Sequence, residues 1–293
     1  MFNMESKIVI FESNKLDGKM SKNPKFYPKG VSESERYERF HQERLILGKK
    51  LGVDGNHILR SRQKGLSKVD YPDGKYILLD DSHMTKEDYF YEDLPADILI
   101  ISEKYPGIIV ANPCADCPIL ICEDRKKGYT ALAHCGALYI DRKLPQDTIR
   151  ALIDCCNSSI DDIYVYVGSS IKKESYVYDC YPKWAKSKEV WEGFIMKENS
   201  DYHIDLVGAI EKQLKDIGIT HIEISPIDTA KDPNYYSHAE EVKGTQKDGG
   251  QNLVGFYYKW KRAMLFFYFF VTWYFFSKGF ITSFSKVSIS LYP

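Results

Sequence analysis

Residues 96–124, ADILIISEKYPGIIVANPCADCPILICED, carry three apolar runs in quick succession, at 98–101, 108–111 and 118–122. Each run is too short for a packed helix and of the right length for a buried strand. Pro106–Gly107 supplies a turn between the first two. Strands that follow one another directly cannot all be joined by crossover helices, so a simple doubly wound sheet is excluded. Further strands are predicted at 6–12, at 57–65 as a strand followed by a turn, and at 75–81, 128–137, 161–170 and 220–225. Helices are predicted at 32–53, 144–157 and 205–218. The first has Ser32 or Ser34 as its cap, acidic residues in its first turn and basic residues in its last. Its apolar stripe is Tyr37, Phe40, Leu45 and Leu47. Runs of strands mixed with well-spaced helices predict an α+β fold, an α/β sandwich of mixed sheets flanked by helices, in one domain.

The charge is balanced, 40 Lys and Arg against 41 Asp and Glu. Such a chain has no broad basic field, so a nucleic-acid partner is not expected. The first twenty residues show no apolar run of signal-peptide length. The seven cysteines are odd in number and all lie between 114 and 180. Both features point to reduced thiols in a cytoplasmic protein.

The C-terminal part has a different composition. From Phe256 onward lie 9 of the 15 phenylalanines, and AMLFFYFFVTWYFF (263–276) is almost wholly apolar. At fourteen residues it is shorter than the roughly 20 needed to span a bilayer. It can be read as a membrane anchor, as buried core strands, or as a tail foreign to the domain, such as read-through in a shifted frame. A run built on Phe and Tyr rather than Leu, Ile, Val and Ala favours the foreign tail. The expected organisation is therefore an N-terminal segment 1–30 with an opening strand, a domain at 31–258, and an aromatic tail at 259–293. A membrane partner is expected only if that tail is an anchor.

The chemistry-bearing residues centre on Cys114, Asp116 and Cys117 in CADC, and on His134 and Cys135 in TALAHCGA. A structural zinc site wants four N or S ligands, a catalytic one three plus water. Adjacent side chains on a strand point to opposite faces, so His134 and Cys135 cannot both face one centre. A redox Cys-x-x-Cys opens a helix after a strand, whereas PILICED after this pair reads as a strand. That leaves one cysteine and one histidine on neighbouring strands, able to ligate a metal or to act as thiol and base. It also leaves plain packing, because free cysteine is commonly buried.

ADCPILICED followed by YTALAHCGA resembles the "ADCxPVLLxD … AHAGWRG" core of the laccase-domain proteins, also known as polyphenol oxidases, purine nucleoside phosphorylases or peptidoglycan editing factors. VYVGSSIKKESYVY (165–178) is similar to the family's "AIGPCIGPCCYEV". SPIDTAKDPNYYSHAEEVKGTQKDGGQN (225–252) is similar to its "CTYCDPERFFSYRRDGGTGR". The resemblance runs from about residue 30 to about 258.

It implies a zinc site of two histidines and one cysteine, with copper as an older association. It also implies phosphorolysis of purine nucleosides, or deamination of adenosine, with a nucleoside and phosphate as the small-molecule partners. Carried over by position, Cys117 is the cysteine ligand and His134 the second histidine. Asp116, beside that cysteine, is read either as a catalytic residue that orients a ligand or accepts a proton, or as a carboxylate that caps the turn. The family's first histidine lies in a "QVHG" turn. Here the turn is RQKG (62–65), with Gln63 in place and Lys64 or Gly65 at the histidine position. The arginine of "HAGWRG" is displaced, with Arg142 as its nearest replacement. A third ligand or phosphate contact would come from His83, His57, His238, Arg142 or Lys64. The runner-up readings are a metal-free Cys–His hydrolase or deamidase, with Cys117 as nucleophile and His134 as base, and a catalytically degenerate paralogue.

Overall fold

The structure is a computed structural model that describes residues 5–56, 58–63, 76–84 and 92–260. The strands are β1 (Ile8–Glu12), β2 (Ile58–Ser61), β3 (Tyr76–Leu78), β4 (Glu92–Leu94), β5 (Ile98–Ser102), β6 (Ile109–Cys114), β7 (Ile119–Asp124), β8 (Tyr129–His134), β9 (Ile163–Val167), β10 (Val177–Tyr178), β11 (Ile195–Glu198), β12 (Asp201–Ile204), β13 (His221–Ile224) and β14 (Asn252–Tyr258). The helices are α1 (Glu33–Leu51), α2 (Ala137–Asp141), α3 (Leu144–Cys156), α4 (Lys188–Trp191), α5 (Leu206–Asp216) and α6 (His238–Lys243). The three apolar runs of 96–124 are β5, β6 and β7, as their length and β-branched content predict.

A five-stranded sheet in the order β1-β14-β6-β2-β4 lies over a six-stranded sheet in the order β13-β9-β7-β8-β5-β3. Both mix parallel and antiparallel pairs. Alternation along the strands divides their side chains between two layers. Leu99, Ile101, Ile119, Ile121 and Leu132 from one sheet meet Leu59, Val110, Val254 and Phe256 from the other. The intervening Leu120, Cys122, Ala131 and Ala133 turn the other way, onto Ile149 and Leu152 of α3 and Ile210 and Leu214 of α5. On the far side of the five-stranded sheet, Phe40 and Leu47 of α1 pack on Ile58, Ile109, Ala111 and Leu253. The result is a helix–sheet–sheet–helix sandwich, the α+β fold the sequence predicts.

Helix α1 starts where the sequence places it. Ser32 accepts from the Glu35 amide and Glu35 reaches back to Ser32, a closed capping box, and Gly52 ends the helix in the left-handed conformation. Its buried stripe is Phe40, Arg44, Leu47 and Gly48. Tyr37, expected in that stripe, is 45% exposed. The register of the last strand depends on glycine, because a Cβ on Gly255 would stand 2.3 Å from that of Ala111 on β6. The N-terminal segment is built into the sandwich, with Ile8 opposite Tyr258 and Glu12 opposite Val254. A three-stranded sheet, β10-β12-β11, was not legible in the sequence. No helix among the described residues is long and apolar enough to cross a membrane. The apolar run 263–276 lies outside the described residues.

Candidate functional site

Cys117 stands in the turn between β6 and β7, and the preceding residue shapes that turn. Asp116 has φ +83, a left-handed conformation that Asp tolerates better than most side chains. Its Oδ1 accepts from Thr229 Oγ1 at 2.8 Å, and its Oδ2 accepts from the Ala239 amide at 2.7 Å. Its carbonyl accepts from the Ile171 amide at 3.0 Å. Asp116 thus ties the Cys117 turn to the loop after β9, to the segment after β13 and to the start of α6. Both carboxylate oxygens are engaged as acceptors, which gives this residue a positioning role.

His134 closes β8. It pairs with Ile119 on β7, and the Cys135 amide donates to the Pro118 carbonyl at 2.9 Å. This register sets Cys117 opposite Gly136, two positions beyond His134. A Cβ on Gly136 would lie 3.3 Å from Cys117 Sγ, so the glycine leaves room beside the thiol. Cys135 packs into the helix-side core, which separates it from His134 as strand alternation requires. Cys117 and His134 therefore share one end of the β7–β8 pair, with no hydrogen bond between thiol and imidazole. Cys114 and Cys117 are both free thiols. Gln63 Nε2 donates to the His134 carbonyl at 2.7 Å and brings Gln63 against the same strand end.

Burial dominates the electrostatics. It lowers the His134 pKa from 6.5 to about 4, with the positive charge of Arg60 adding to the effect. It raises Cys117 to about 12, with the Asp116 carboxylate adding to that shift. At neutral pH the imidazole is uncharged and the thiol keeps its proton. The pair holds one basic lone pair and one proton, and is not a preformed thiolate–imidazolium. Tyr176, half-buried, lies within electrostatic reach of Cys117 and Asp116, and its hydroxyl is 3.2 Å from that of Tyr178.

The remaining candidates separate. His83 belongs to a single helical turn after β3 and bonds to Asp80 at 2.9 Å. The neighbouring Asp81 accepts from Tyr105, beyond the end of β5 where Ser102 pairs with Tyr129. His134 is five residues further along β8, about 16 Å at a strand's rise per residue. Strand pairing thus carries His83 to the opposite end of the sheet and removes it from the ligand set. His238 opens α6, next to the Ala239 amide that Asp116 binds. Its ring is exposed and lies 3.5 Å from the Glu241 carboxylate. Arg142 is exposed at the C-terminal cap of α2. Lys64 and His57 lie outside the described residues.

Among the described residues no three His, Cys, Asp or Glu side chains converge as a metal-binding group. Two donors, Cys117 and His134, fall short of the three that a catalytic zinc takes. The zinc set implied by the resemblance does not fit the described side chains. Sequence reading passed over Gly136, Thr229 and Arg60. Thr229 stands in the IDTAKD stretch of a quoted motif, but nothing in one dimension shows that it meets Asp116.

The comparisons with known proteins bear on the family and the fold. Residues 29–251 match the family described as multi-copper polyphenol oxidoreductase laccase. A purine nucleoside phosphorylase of Mycobacterium tuberculosis is 20% identical over 207 residues, spanning 67% of this chain and 79% of the relative. A purine nucleoside phosphorylase of Bacteroides thetaiotaomicron is 23% identical over 188 residues, 59% of this chain and 64% of the relative. The crystal structure of YlmD from Geobacillus stearothermophilus superposes with a TM-score of 0.67 at 19% identity, covering 87% of this chain and 93% of that one. YfiH from Bacillus licheniformis gives 0.60 at 16% identity, covering 76% and 82%. With the match extending over most of the sandwich and through both the Cys117 turn and the His134 strand, the chain belongs to the multi-copper polyphenol oxidoreductase laccase family.

Proposed function

We propose that this chain is an enzyme acting on purine nucleosides, with the Cys117–His134 end of the β7–β8 pair as its reaction centre. Phosphorolysis of inosine or adenosine is the first reaction to assign to it, and deamination of adenosine the second. The observation that carries the reading is the register of Ile119 with His134, which brings the two motif residues to one strand end beside a glycine. The relatives named purine nucleoside phosphorylase support the substrate class. A neutral His134 is a base at physiological pH, and the Cys117 thiol is a proton reserve next to it. Asp116 holds the Cys117 turn, and Gln63 holds the strand end. No step is assigned to zinc or copper, because the described residues offer two donors and not three. A reduced, cytoplasmic setting is part of the same proposal.

The two donors among the described residues favour one alternative, a metal-free hydrolase or deamidase: His134 takes the Cys117 proton, the sulfur attacks a C–N carbon of the substrate, the departing amine takes the proton from His134, and water then cleaves the C–S bond and restores the thiol. The deciding experiment incubates the purified protein with adenosine or inosine, with and without phosphate, and measures its metal content. Base release that requires phosphate and disappears in His134→Ala supports the first reading. Turnover without phosphate, blocked by alkylation of Cys117, supports the alternative. No turnover of any nucleoside overturns the nucleoside assignment and leaves the degenerate paralogue.

A further inference from the structure

Helix α3 ends in two consecutive cysteines, Cys155 and Cys156, and the proposed reaction uses neither. Adjacent helical side chains ordinarily diverge. Here the two Sγ atoms approach to 3.6 Å. The Cys155 thiol donates to the Ala151 carbonyl, one turn back, at 2.6 Å. Its single proton is thus committed, so Cys156 is the donor across the pair. Cys155 is half-buried and within reach of a small molecule, whereas Cys156 is buried against the helix-side core.

The pair stands at the other end of the β7–β8 ladder from Cys117 and His134. Lys127, in the turn between β7 and β8, donates from Nζ to the carbonyls of Cys156 and Asn157. At that end Asp124 pairs with Tyr129, and at the other Ile119 pairs with His134. Five residues of strand, about 16 Å, separate the two ends.

The two sulfurs are not equivalent. The hydrogen bond from Cys156 holds the Cys155 thiol below its ordinary pKa, against the opposing effects of burial and of Asp154. The same bond pushes Cys156 up, burial, Cys155 and Asp124 add to that shift, and Lys127 offsets only part of it. Burial also pushes up Cys114, Cys117, Cys122 and Cys135, and a hydrogen bond to Asp179 pushes up the exposed Cys180. Of the seven cysteines Cys155 is therefore the one both accessible and shifted towards the thiolate. A thiolate-prone sulfur beside a protonated one is the arrangement of an attacking and a resolving cysteine.

We propose that Cys155–Cys156 is a thiol–disulfide exchange site for a low-molecular-weight disulfide, with Cys155 as the attacking sulfur and Cys156 as the resolving one. The Cys155 sulfur attacks one sulfur of the small disulfide, whose S–S bond breaks, and the first small thiol leaves with the proton that Cys155 has shed. Cys156 then gives up its proton and attacks Cys155 Sγ, and the second small thiol leaves with that proton. Two protein thiols are oxidised, and one disulfide is reduced to two thiols. Cys156 is the last residue of α3 and Asn157 is already left-handed, so closing the sulfurs to about 2.05 Å disturbs the last turn alone. Neighbouring Cα atoms lie about 3.8 Å apart, less than the roughly 4.4–6.8 Å that a relaxed disulfide spans, so an excess of reduced thiol reopens the ring. The site does not depend on the nucleoside reading, because it is read by mass and not by turnover.

The test incubates the reduced full chain with excess oxidised glutathione and alkylates the remaining thiols after unfolding. The tryptic peptide 151–172, whose two cysteines are Cys155 and Cys156, is then weighed. The wild-type peptide is expected to be lighter by two hydrogens, to carry neither alkyl group nor adduct, and to be restored by excess reduced glutathione. Cys156→Ser is expected to stop at glutathione on Cys155, and Cys155→Ser to leave Cys156 unmodified. A wild-type peptide that keeps both thiols, or that stops at the mixed disulfide, would overturn the proposal. So would a Cys155→Ser protein that loads Cys156 as readily as the wild type loads Cys155. The wild-type peptide decides by itself should a variant fail to fold.

Discussion

Gln63 Nε2 donates to the main-chain carbonyl of His134 at 2.7 Å, so the segment after β2 is pinned to the last residue of β8. In the resemblance, that segment is the turn that carries the family's first histidine. Replacing Gln63 by Ala removes one hydrogen bond, worth about 1 kcal/mol. Gln63→Glu should cost more, because a carboxylate facing a carbonyl can only repel it. Urea unfolding midpoints that fall in the order wild type, Ala, Glu are the expected result. Equal midpoints for all three would show that this contact does not secure the strand end.

His134 makes stability depend on pH in a defined window. Its folded pKa, about 4, lies below the ordinary 6.5. Between those values the unfolded chain binds the proton that the folded chain refuses. The contribution is therefore complete above about pH 6.5 and is lost as pH falls towards 4, on the order of 1–3 kcal/mol in all. The expected outcome is a steeper loss of stability over this range in the wild type than in His134→Asn. Parallel curves for the two proteins would assign the acid sensitivity elsewhere.

Asp116 serves three segments from one left-handed position. Asp116→Ala leaves the Thr229 hydroxyl and the Ala239 amide without their acceptor and should destabilise by about 3 kcal/mol. Asp116→Asn keeps the shape, tolerates the positive φ and retains one acceptor oxygen, so it should lose about half as much. Thermal or urea melts of the two variants give the comparison. An Asn variant as damaged as the Ala variant would mean that the charge, not the hydrogen-bond geometry, holds the turn.

Among the described residues zinc has two donors, Cys117 and His134, and no third beside them. The purified chain is expected to carry well under one zinc. Lys64→His and Gly65→His, made separately, place an imidazole at the two candidate positions of the family turn. One of them should raise the content to about one zinc per chain, held by three protein ligands. Elemental analysis after dialysis reads this directly, and two variants no richer in zinc than the wild type would exclude this turn as the ligand position.

The aromatic tail is proposed to lie outside the domain. β14 ends at Tyr258, whose hydroxyl meets Thr130 Oγ1 at 2.7 Å between the two sheets. A chain ending at Lys259 keeps that contact, so its melting temperature should stay close to that of the full chain while its solubility rises. A truncated protein that aggregates or melts far earlier would place the tail in the core, where apolar area counts for about 25 cal/mol per Å². A full-length protein that sediments with membranes while the truncation does not would make it an anchor.

The local code of this chain was legible. Apolar runs of strand length gave β5, β6 and β7, and Ser32 with Glu35 marked the start of α1, because periodicity and capping act over a few residues. The motif order also pointed to Cys117 and His134 before any strand was paired. Other features depended on partners distant in sequence. His83 and His238 read alike as candidate ligands until strand pairing sent one to the far end of the sheet and placed the other next to the Asp116 turn. The Asp116 carboxylate found its donors 113 and 123 residues away. Lys127 reaches the Cys156 carbonyl, 29 residues on, only because α3 packs across the β7–β8 pair. Sequence spacing fixes which face of its own element a side chain occupies, but which faces meet is decided by the packing of layers.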